Sequence, residues 1–233
     1  MYFPQPGDYI DIHVHGGKPA AGIFILESLM AHEEKVAEGN PGIAYTYGIH
    51  PWFLNEGNYN QQIISVEKNV ANSLIIAIGE AGFDKIRGPS PDLQRKAFEK
   101  QVIIAEKQLK PLIIHCVKAW DELLSVHKEL KPRMPWMIHG FRGSVEMAAQ
   151  LISKGIYLSV WFDFVLRPES ANLLRSLPGN KFFLETDGAD VDIRDIYIKV
   201  SNDLKITVDE LKGIIHSNFN RFFAPPGDFL ELF

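Results

Sequence analysis

The stretch Tyr9-Ile10-Asp11-Ile12-His13-Val14-His15-Gly16-Gly17 alternates apolar and polar side chains in the manner of a β-strand. Successive side chains of a strand point to opposite faces, so Asp11, His13 and His15 share one face. Two imidazoles two residues apart on a rigid strand can bind the same divalent ion. The alternative is a half-buried strand with two incidental histidines, so the metal interpretation depends on the histidines elsewhere in the chain.

Length and composition favour an ordinary globular α/β protein. The chain has 233 residues, of which 46% are hydrophobic, and no repeat, low-complexity tract or linker divides it. We therefore expect one domain spanning residues 1–233. The formal charge of −5 argues against broad electrostatic capture of nucleic acid. Bound divalent cations would nevertheless supply positive charge to a phosphate group, so a nucleic-acid substrate is still possible.

The sequence also bears on location. It contains no apolar run long enough for a transmembrane helix, and its first residues lack the pattern of a signal peptide. Its single cysteine, Cys116, excludes an internal disulfide and is typical of a reducing compartment. We expect a cytoplasmic protein that does not associate with membranes, and we predict no obligate protein partner.

Apolar runs of strand length alternate with helical patterns along the whole chain. Continuous apolar runs are typical of parallel strands buried on both faces. The predicted strands are Tyr9–His15, Gly22–Ser28, Ile43–His50, Leu74–Glu80, Pro111–His115, Trp136–His139, Ile156–Trp161 and Phe182–Asp187. Helix starts are predicted at Ser90-Pro91, for a helix to about Leu109, at Ser144, for a helix that stops at Gly155, and at the capping box Thr207–Glu210.

This alternation predicts an α/β fold, a compact (β/α)8 TIM barrel. The segment Lys18–Gly42 leaves little room for a helix between the first two strands, so we expect an abbreviated or distorted first βα unit. A doubly wound open sheet is the alternative architecture. The absence of a Gly-rich phosphate loop after the first strand weakens that alternative.

Histidines and carboxylates end six of the eight predicted strands. They are His13, His15, His50, Glu80, His115, His139 and Asp187. The carboxyl ends of barrel strands meet on one face, where metal coordination would offset the cost of burying so many polar groups. The donors suit Zn, Mn, Mg or a similar ion, and six ligands predict two ions that share Glu80 or a hydroxide. His32, His127 and His216 lie away from strand ends and are interpreted as surface or packing residues.

Seven ordered motifs resemble those of the TatD-like metal-dependent hydrolases, a family of the amidohydrolase-like superfamily. The motifs are Asp11–His15, Gly48–Pro51, Gly79–Asp84, Ile114–Cys116, Ile138–Ser144, Leu184–Asp187 and Asn218–Phe223. The resemblance implies a metal-dependent hydrolase with a barrel fold, and specifically a deoxyribonuclease or related phosphodiesterase that uses a metal-activated water.

The resemblance also implies a role for each motif residue. His13 and His15 would bind one ion, His115 and His139 the second, and Glu80 would bridge the two. Asp187 would be a ligand and the catalytic acceptor of the proton from the attacking water. His50 would contact the substrate phosphate instead of a metal.

The sequence departs from the family pattern at positions expected to contact substrate. Gly16-Gly17 replaces Leu-Asp, Val117-Lys118-Ala119 replaces Arg-Asp-Ala, and Gly188–Val191 replaces Ser-Pro-Tyr-Leu. Lys118 and Arg142 are the candidate phosphate-binding cations. Aromatic residues near strand ends, which are Trp52, Phe53, Trp161 and Phe162, could stack on a base or pack within their loops.

Three functions are compatible with these features. The first is a two-metal phosphodiesterase whose substrate is DNA or a small phosphodiester. The second keeps the ions but hydrolyses an amide, a lactone or an aminoacyl ester, which the acidic net charge and the altered loops favour. The third is a non-enzymatic binding module, which the intact set of six ligands argues against.

Overall fold

The computed structural model describes residues 3–33 and 35–224, and its described residues contain eight β-strands in one sheet. The strands follow one another in chain order. The pairs β1–β2, β3–β4, β4–β5, β6–β7 and β7–β8 are parallel. They are β1 Tyr9–Val14, β2 Ile23–Met30, β3 Ile43–Gly48, β4 Ile75–Asp84, β5 Leu112–Val117, β6 Trp136–Phe141, β7 Tyr157–Val160 and β8 Phe182–Leu184. All eight predicted strands are confirmed, with shifted bounds, and the architecture is a TIM barrel.

Helices follow most of the strands. They are α1 Tyr59–Asn69, α2 Pro91–Gln108, α3 Trp120–Leu130, α4 Val145–Ser153, α5 Phe162–Val165, α6 Ser170–Ser176, α7 Ile193–Leu204 and α8 Val208–Phe223. Two short 3-10 helices span Ala31–Glu33 and Pro51–Phe53. Within the described residues, no helix is both long and apolar enough to span a bilayer.

The predicted helix starts are confirmed by their capping bonds. The hydroxyl of Ser90 accepts a hydrogen bond from the amide of Leu93. Before α8, the amide of Thr207 donates to Glu210 Oε2 at 2.7 Å, and the amide of Glu210 donates to Thr207 Oγ1 at 3.2 Å. This reciprocal pair is the predicted capping box, which satisfies amides that have no partner inside the helix.

The abbreviated first βα unit is also confirmed. A loop with one isolated bridge, between Ala20 and Ile23, joins β1 to β2. In the part of the chain that the structure describes, β1, β2 and β3 have no α-helix between them, and only the 3-10 helix Ala31–Glu33 follows β2. The three strands are therefore connected by loops where later strands are connected by helices.

Backbone packing divides the described residues into two compact units. The first comprises residues 3–27, 39–44 and 137–222, and the second comprises residues 28–33, 35–38, 45–136, 223 and 224. In the first unit, Phe222 of α8 packs edge-on against Tyr157 and Phe183. In the second, the ring of Phe98 packs against Phe83 and Trp136. The interpretation of the chain as a single domain stays a prediction.

Three of the predicted strand-end positions are wrong. Glu80 lies inside β4, which continues to Asp84, because β4 still pairs with β5 beyond it, from Gly82 opposite His115 to Asp84 opposite Val117. His115 and His139 are likewise followed by two more strand residues each. Side chains within a strand can still reach a common site where the ladder is irregular.

Substitution of Gly82 tests this close pairing of β4 with β5. Gly82 has φ +147°, and a Cβ there would lie 2.0 Å from the carbonyl oxygen of His115. We expect Gly82→Ala to lower the free energy of unfolding by at least about 2 kcal/mol, measured by urea denaturation. The control is Gly213→Ala in α8, where a Cβ meets nothing within 4 Å. That change should raise stability by about 0.5–1 kcal/mol. Equal stability of Gly82→Ala and the wild type would contradict the described pairing.

Candidate metal centre

Irregular strand pairing coincides with the ligand motifs. The register shifts between Asp11 and Val14 in β1, between Ile78 and Ala81 in β4, and between Ile138 and Phe141 in β6. Each interval contains one candidate ligand, namely His13, Glu80 or His139. Such irregularities re-aim a side chain without ending the strand, and they are common beside active sites.

In the first unit, candidate ligands gather near the carboxyl ends of β1, β6 and β8. We call this group the His13 cluster: His13, His15, His139 and Asp187. Ligand atoms of His13, His15 and Asp187 all lie within 4.8 Å of one another. Asp187 Oδ1 is 3.6 Å from His13 Nε2 and also 3.6 Å from His15 Nε2. The rings of His13 and His139 face each other with centroids 4.1 Å apart. These sequence-predicted residues are thus brought together.

A buried carboxylate that sequence reasoning missed supports the His13 cluster. Glu185 is fully buried, and its Oε1 accepts a hydrogen bond of 2.6 Å from the amide of Gly140. The same oxygen lies 3.8 Å from His139 Nδ1. Burial acts to raise the pKa of Glu185, but hydrogen bonding and charge interaction with His139 outweigh it, and the net pKa is lowered. Glu185 is therefore placed to orient the His139 ring.

Sequence reasoning also missed a pair of residues, Asp11 and Thr186, that joins β1 to the segment after β8. Asp11 accepts hydrogen bonds from the amide of Thr186 at 2.9 Å and from the Thr186 hydroxyl at 2.6 Å. Burial raises the pKa of Asp11 to about 7, although both bonds act to lower it. The amide of the next residue, Asp187, donates to the carbonyl of His13 at 3.0 Å. Asp11 and Thr186 thus fix Asp187 beside His13.

In the second unit, the candidate residues form the His50 cluster: His50, Glu80, Asp84 and His115. Ligand atoms of His50, Glu80 and His115 all lie within 4.8 Å of one another. Glu80 Oε1 is 3.1 Å from His50 Nε2 and 2.9 Å from His115 Nδ1. All four side chains are buried, with exposed fractions between 2 and 8%.

Asp84 is the fourth residue that sequence reasoning missed, and it contacts several partners. Its Oδ2 accepts from Trp52 Nε1 at 2.6 Å and lies 3.1 Å from His115 Nε2. Its Oδ1 accepts from the amides of Ile86 and Arg87. Burial acts to raise the pKa of Asp84, but the hydrogen bonds, led by those from Trp52 and His115, lower it overall. A carboxylate behind a ligating imidazole is the usual support of such a ligand.

The two nitrogens of His50 have different partners. Nδ1 accepts a hydrogen bond of 3.0 Å from the amide of Trp52, so the neutral ring carries its proton on Nε2. Nε2 then acts as a donor toward Glu80. A protonated nitrogen donates hydrogen bonds and does not bind a metal, so this tautomer suits the predicted contact with phosphate.

The other predicted substrate residues lie beyond their strands. Arg142 follows β6 by one residue, and its guanidinium lies 3.7 Å from the centroid of the Trp161 ring. Lys118 follows β5 directly, is exposed and has φ +52°. Cys116 is largely covered, and burial raises the pKa of its thiol to about 12, as a spectator thiol requires.

The three remaining histidines make packing or surface contacts. His32 stacks on Phe53, His127 packs edge-on against Trp136, and His216 Nε2 lies 3.2 Å from the carbonyl of Pro4. None of them belongs to a group of potential metal ligands within the described residues.

The donors of both clusters fit a divalent ion. Each cluster supplies imidazole nitrogens and carboxylate oxygens at mutual distances compatible with one ion, and neither supplies a thiolate. The buried carboxylates behind His139 and His115 are the outer partners that a metal-binding imidazole normally has.

The bond between Thr186 and Asp11 gives a direct test of the first cluster. Thr186→Val removes the hydroxyl that donates to buried Asp11, so we expect the free energy of unfolding to fall by about 1–3 kcal/mol. Thr46→Val in β3 is the matched control, because the buried Thr46 hydroxyl has no partner among the described residues. That change should be neutral or stabilising. Equal losses in the two variants, measured by urea denaturation, would contradict the assigned bond.

Comparison with known proteins agrees with the fold and the motifs. The family model of TatD related DNases matches residues 26–224. The "3'-5' ssDNA/RNA exonuclease TatD" of Edwardsiella piscicida is 30% identical over 190 residues, which cover 78% of this chain and 72% of that protein. The "Deoxyribonuclease Tat-D" of Schizosaccharomyces pombe is 26% identical over 162 residues, or 64% of this chain, and the match spans only 52% of that relative.

Among solved structures, the TatD homologue YjjV of Escherichia coli superimposes with a TM-score of 0.79 at 20% identity, over 95% of this chain and 100% of that chain. This likeness supports the barrel fold. Because the family model covers most of the sequence and contains the ligand motifs after β1, the chain belongs to the family of TatD-related DNases.

Proposed function

We propose that this chain is a divalent-metal-dependent nuclease that hydrolyses phosphodiester bonds in single-stranded DNA or RNA. The observation that carries the proposal is that two groups of imidazoles and carboxylates, His13–His15–Asp187 and His50–Glu80–His115, each have their polar atoms within 4.8 Å of one another. All of these residues except His50 are assigned to the metal. Membership of the family supports phosphodiester hydrolysis. The name of the Edwardsiella piscicida relative supports single strands attacked from the 3' end.

We assign two divalent ions, Mg, Mn or Zn, to these ligands. His13 and His15 would hold one ion, His115 and His139 would hold the other, and Glu80 would be shared by the two. His115 Nδ1 faces Glu80, whereas its Nε2 faces Asp84. This arrangement supports the assignment of His115 as a metal ligand whose ring is oriented by Asp84. When bound, such ions lower the pKa of a water molecule and offset the negative charge of the attacked phosphate.

Asp187 is assigned as both a ligand and the acceptor of the water proton. Its carboxylate lies beside His13 and His15, and its side chain is 26% exposed, whereas that of His13 is fully buried. A carboxylate that borders both a ligand and the solvent can take a proton from an attacking water and release it.

Three further residues are assigned to the substrate. His50 Nε2, which faces Glu80 in this structure, is assigned to donate to a phosphate oxygen of the bound substrate, because Nδ1 already accepts from the Trp52 amide. Arg142 offers the edge of its guanidinium while the ring of Trp161 supports its face. Lys118, exposed after β5, supplies a further positive charge near the strand end.

Replacement of Asp187 tests the hydrolytic assignment. Asp187→Asn removes the proton acceptor, so cleavage of a single-stranded oligonucleotide should slow at least about 100-fold with Mg, Mn or Zn. Asp209→Asn is the control, since Asp209 is an exposed carboxylate in the first turn of α8, outside both clusters, and it should retain wild-type activity.

The same assays decide between the candidate functions. If the wild type cleaves no nucleic acid with any of these ions but hydrolyses an ester, lactone or amide, the nuclease proposal is wrong. The altered loops Gly16-Gly17 and Gly188–Val191 favour that alternative. If no substrate is hydrolysed while ions still bind, the chain is a binding module.

A second variant tests how the His139 ligand is supported. Glu185→Gln removes the buried negative charge behind His139, so the affinity for the ion should fall about 10- to 100-fold. Affinity is measured by isothermal titration of metal into the chelator-treated protein. The control Glu146→Gln makes the same chemical change at an exposed position of α4 and should leave affinity unaltered. Unaltered affinity in Glu185→Gln would contradict the supporting role.

A further inference from the structure

Exposed aromatic rings follow directly on His50. Trp52 and Phe53 form the 3-10 helix after His50, and they are 38% and 39% exposed. Together with His32 and Arg87, which pack on their faces, we call them the aromatic shelf. All four residues lie in the second unit.

Phe53 has an aromatic ring stacked on one of its faces. The ring of His32 stacks on it with centroids 4.0 Å apart and planes 22° from parallel. Burial lowers the pKa of His32, which favours the neutral ring that stacks as an aromatic group. Phe53 is nevertheless 39% exposed, which leaves part of its surface available to a planar group of a ligand.

Trp52 is held in a fixed orientation. Its Nε1 donates to Asp84 Oδ2 at 2.6 Å, and the guanidinium carbon of Arg87 lies 3.8 Å from the ring centroid. Asp84 also accepts from the amide of Arg87 at 2.9 Å, so one carboxylate positions both members of the pair. The following Gly88 approaches the Pro51 carbonyl so closely that a Cβ would lie 2.8 Å from its oxygen.

The shelf also carries an uncompensated positive charge. Among the described residues, no carboxylate lies within ion-pair distance of the Arg87 guanidinium, although acidic residues outnumber basic ones in the chain. Rigid exposed rings beside an unpaired arginine are the features with which proteins bind single-stranded nucleic acid, through stacking and phosphate contact.

We propose that the aromatic shelf stacks a base of the single-stranded substrate while Arg87 contacts an adjacent phosphate. The ring centroid of His50, the residue assigned to a substrate phosphate, lies 4.9 Å from that of Trp52 and 5.7 Å from that of Phe53. The stacked base thus belongs to the nucleotide at His50 or to its neighbour. The inference rests on the proposed nuclease function and adds a contact to the base, which the phosphate ligands alone do not supply.

The test measures binding separately from cleavage. A labelled single-stranded DNA oligonucleotide and the same oligonucleotide with abasic sites at its three 3'-terminal positions are titrated with the Asp187→Asn protein in Mg, and anisotropy is recorded. Stacking of one base should make the intact oligonucleotide bind about 5- to 150-fold tighter. In the Phe53→Leu background this preference should shrink by at least about threefold, because an aliphatic side chain cannot stack as a ring does.

Phe3→Leu provides the matched control. Phe3 is 46% exposed and packs edge-on against Phe219, outside the shelf. The Phe3→Leu change should leave the preference for the intact oligonucleotide at the level of the protein without it. Arg87→Gln should weaken the binding of both oligonucleotides and reduce the salt dependence of binding by about one phosphate contact.

Two results would overturn the shelf: no preference of the Asp187→Asn protein for the intact oligonucleotide, or Phe53→Leu behaving like Phe3→Leu. Failure of the nuclease proposal is recognised differently, as absence of cleavage by the wild type with every ion. A preference for bases with no cleavage would retain the shelf and reject the nuclease.

Discussion

Burial of imidazoles and carboxylates within the carboxyl-terminal halves of parallel strands, and just after them, is the constraint on which this structure depends. His13 and Glu185 have no exposed surface, and Glu80 has 2%. Removing such groups from water costs several kcal/mol each unless hydrogen bonds or ions offset the cost. Hydrogen bonds to the supporting carboxylates Glu185, Asp84 and Asp11 offset part of that cost.

In each cluster, part of the cost of burying the polar groups is offset by a carboxylate that is not itself a proposed metal ligand. In the second unit, Asp84 receives His115, Trp52 and two loop amides. In the first, Glu185 stands behind His139, and Asp11 binds Thr186 so that Asp187 is held next to His13. The imidazoles are consequently oriented before any ion arrives, which reduces the entropy lost on binding. Asp84 extends the same network to Trp52 and Arg87, and thereby couples the candidate centre to the aromatic shelf.

The strands could be predicted from the sequence because parallel strands that are buried on both faces consist of continuous apolar runs. The sequence also predicted the starts of α2 and α8, since Ser90-Pro91 and the capping box at Thr207 act locally. It did not predict that Glu80 lies inside β4, because the irregular pairing between Ile78 and Ala81 depends on β5, which is distant in sequence. Strand ends placed at the first polar residue therefore precede the true ends of β4, β5 and β6.

The supporting carboxylates were missed for a related reason. Glu185 precedes the ligand Asp187 by two residues and Asp84 ends a strand, so each resembles an ordinary polar residue until its partner from another strand is known. Asp11 carried a usable signal, because alternation puts it on the face of His13 and His15. Its partner Thr186 is 175 residues away, and only the closure of β8 beside β1 brings the two together.

The most direct test is the number of divalent ions bound per chain, measured by elemental analysis after equilibrium dialysis against Zn or Mn. Two ions per wild-type chain are predicted, with at least one lost from Glu80→Ala, because Glu80 is the proposed bridge. A wild type that binds no ion, or a Glu80→Ala protein that binds as many ions as the wild type, would contradict the proposal of two ions that share Glu80.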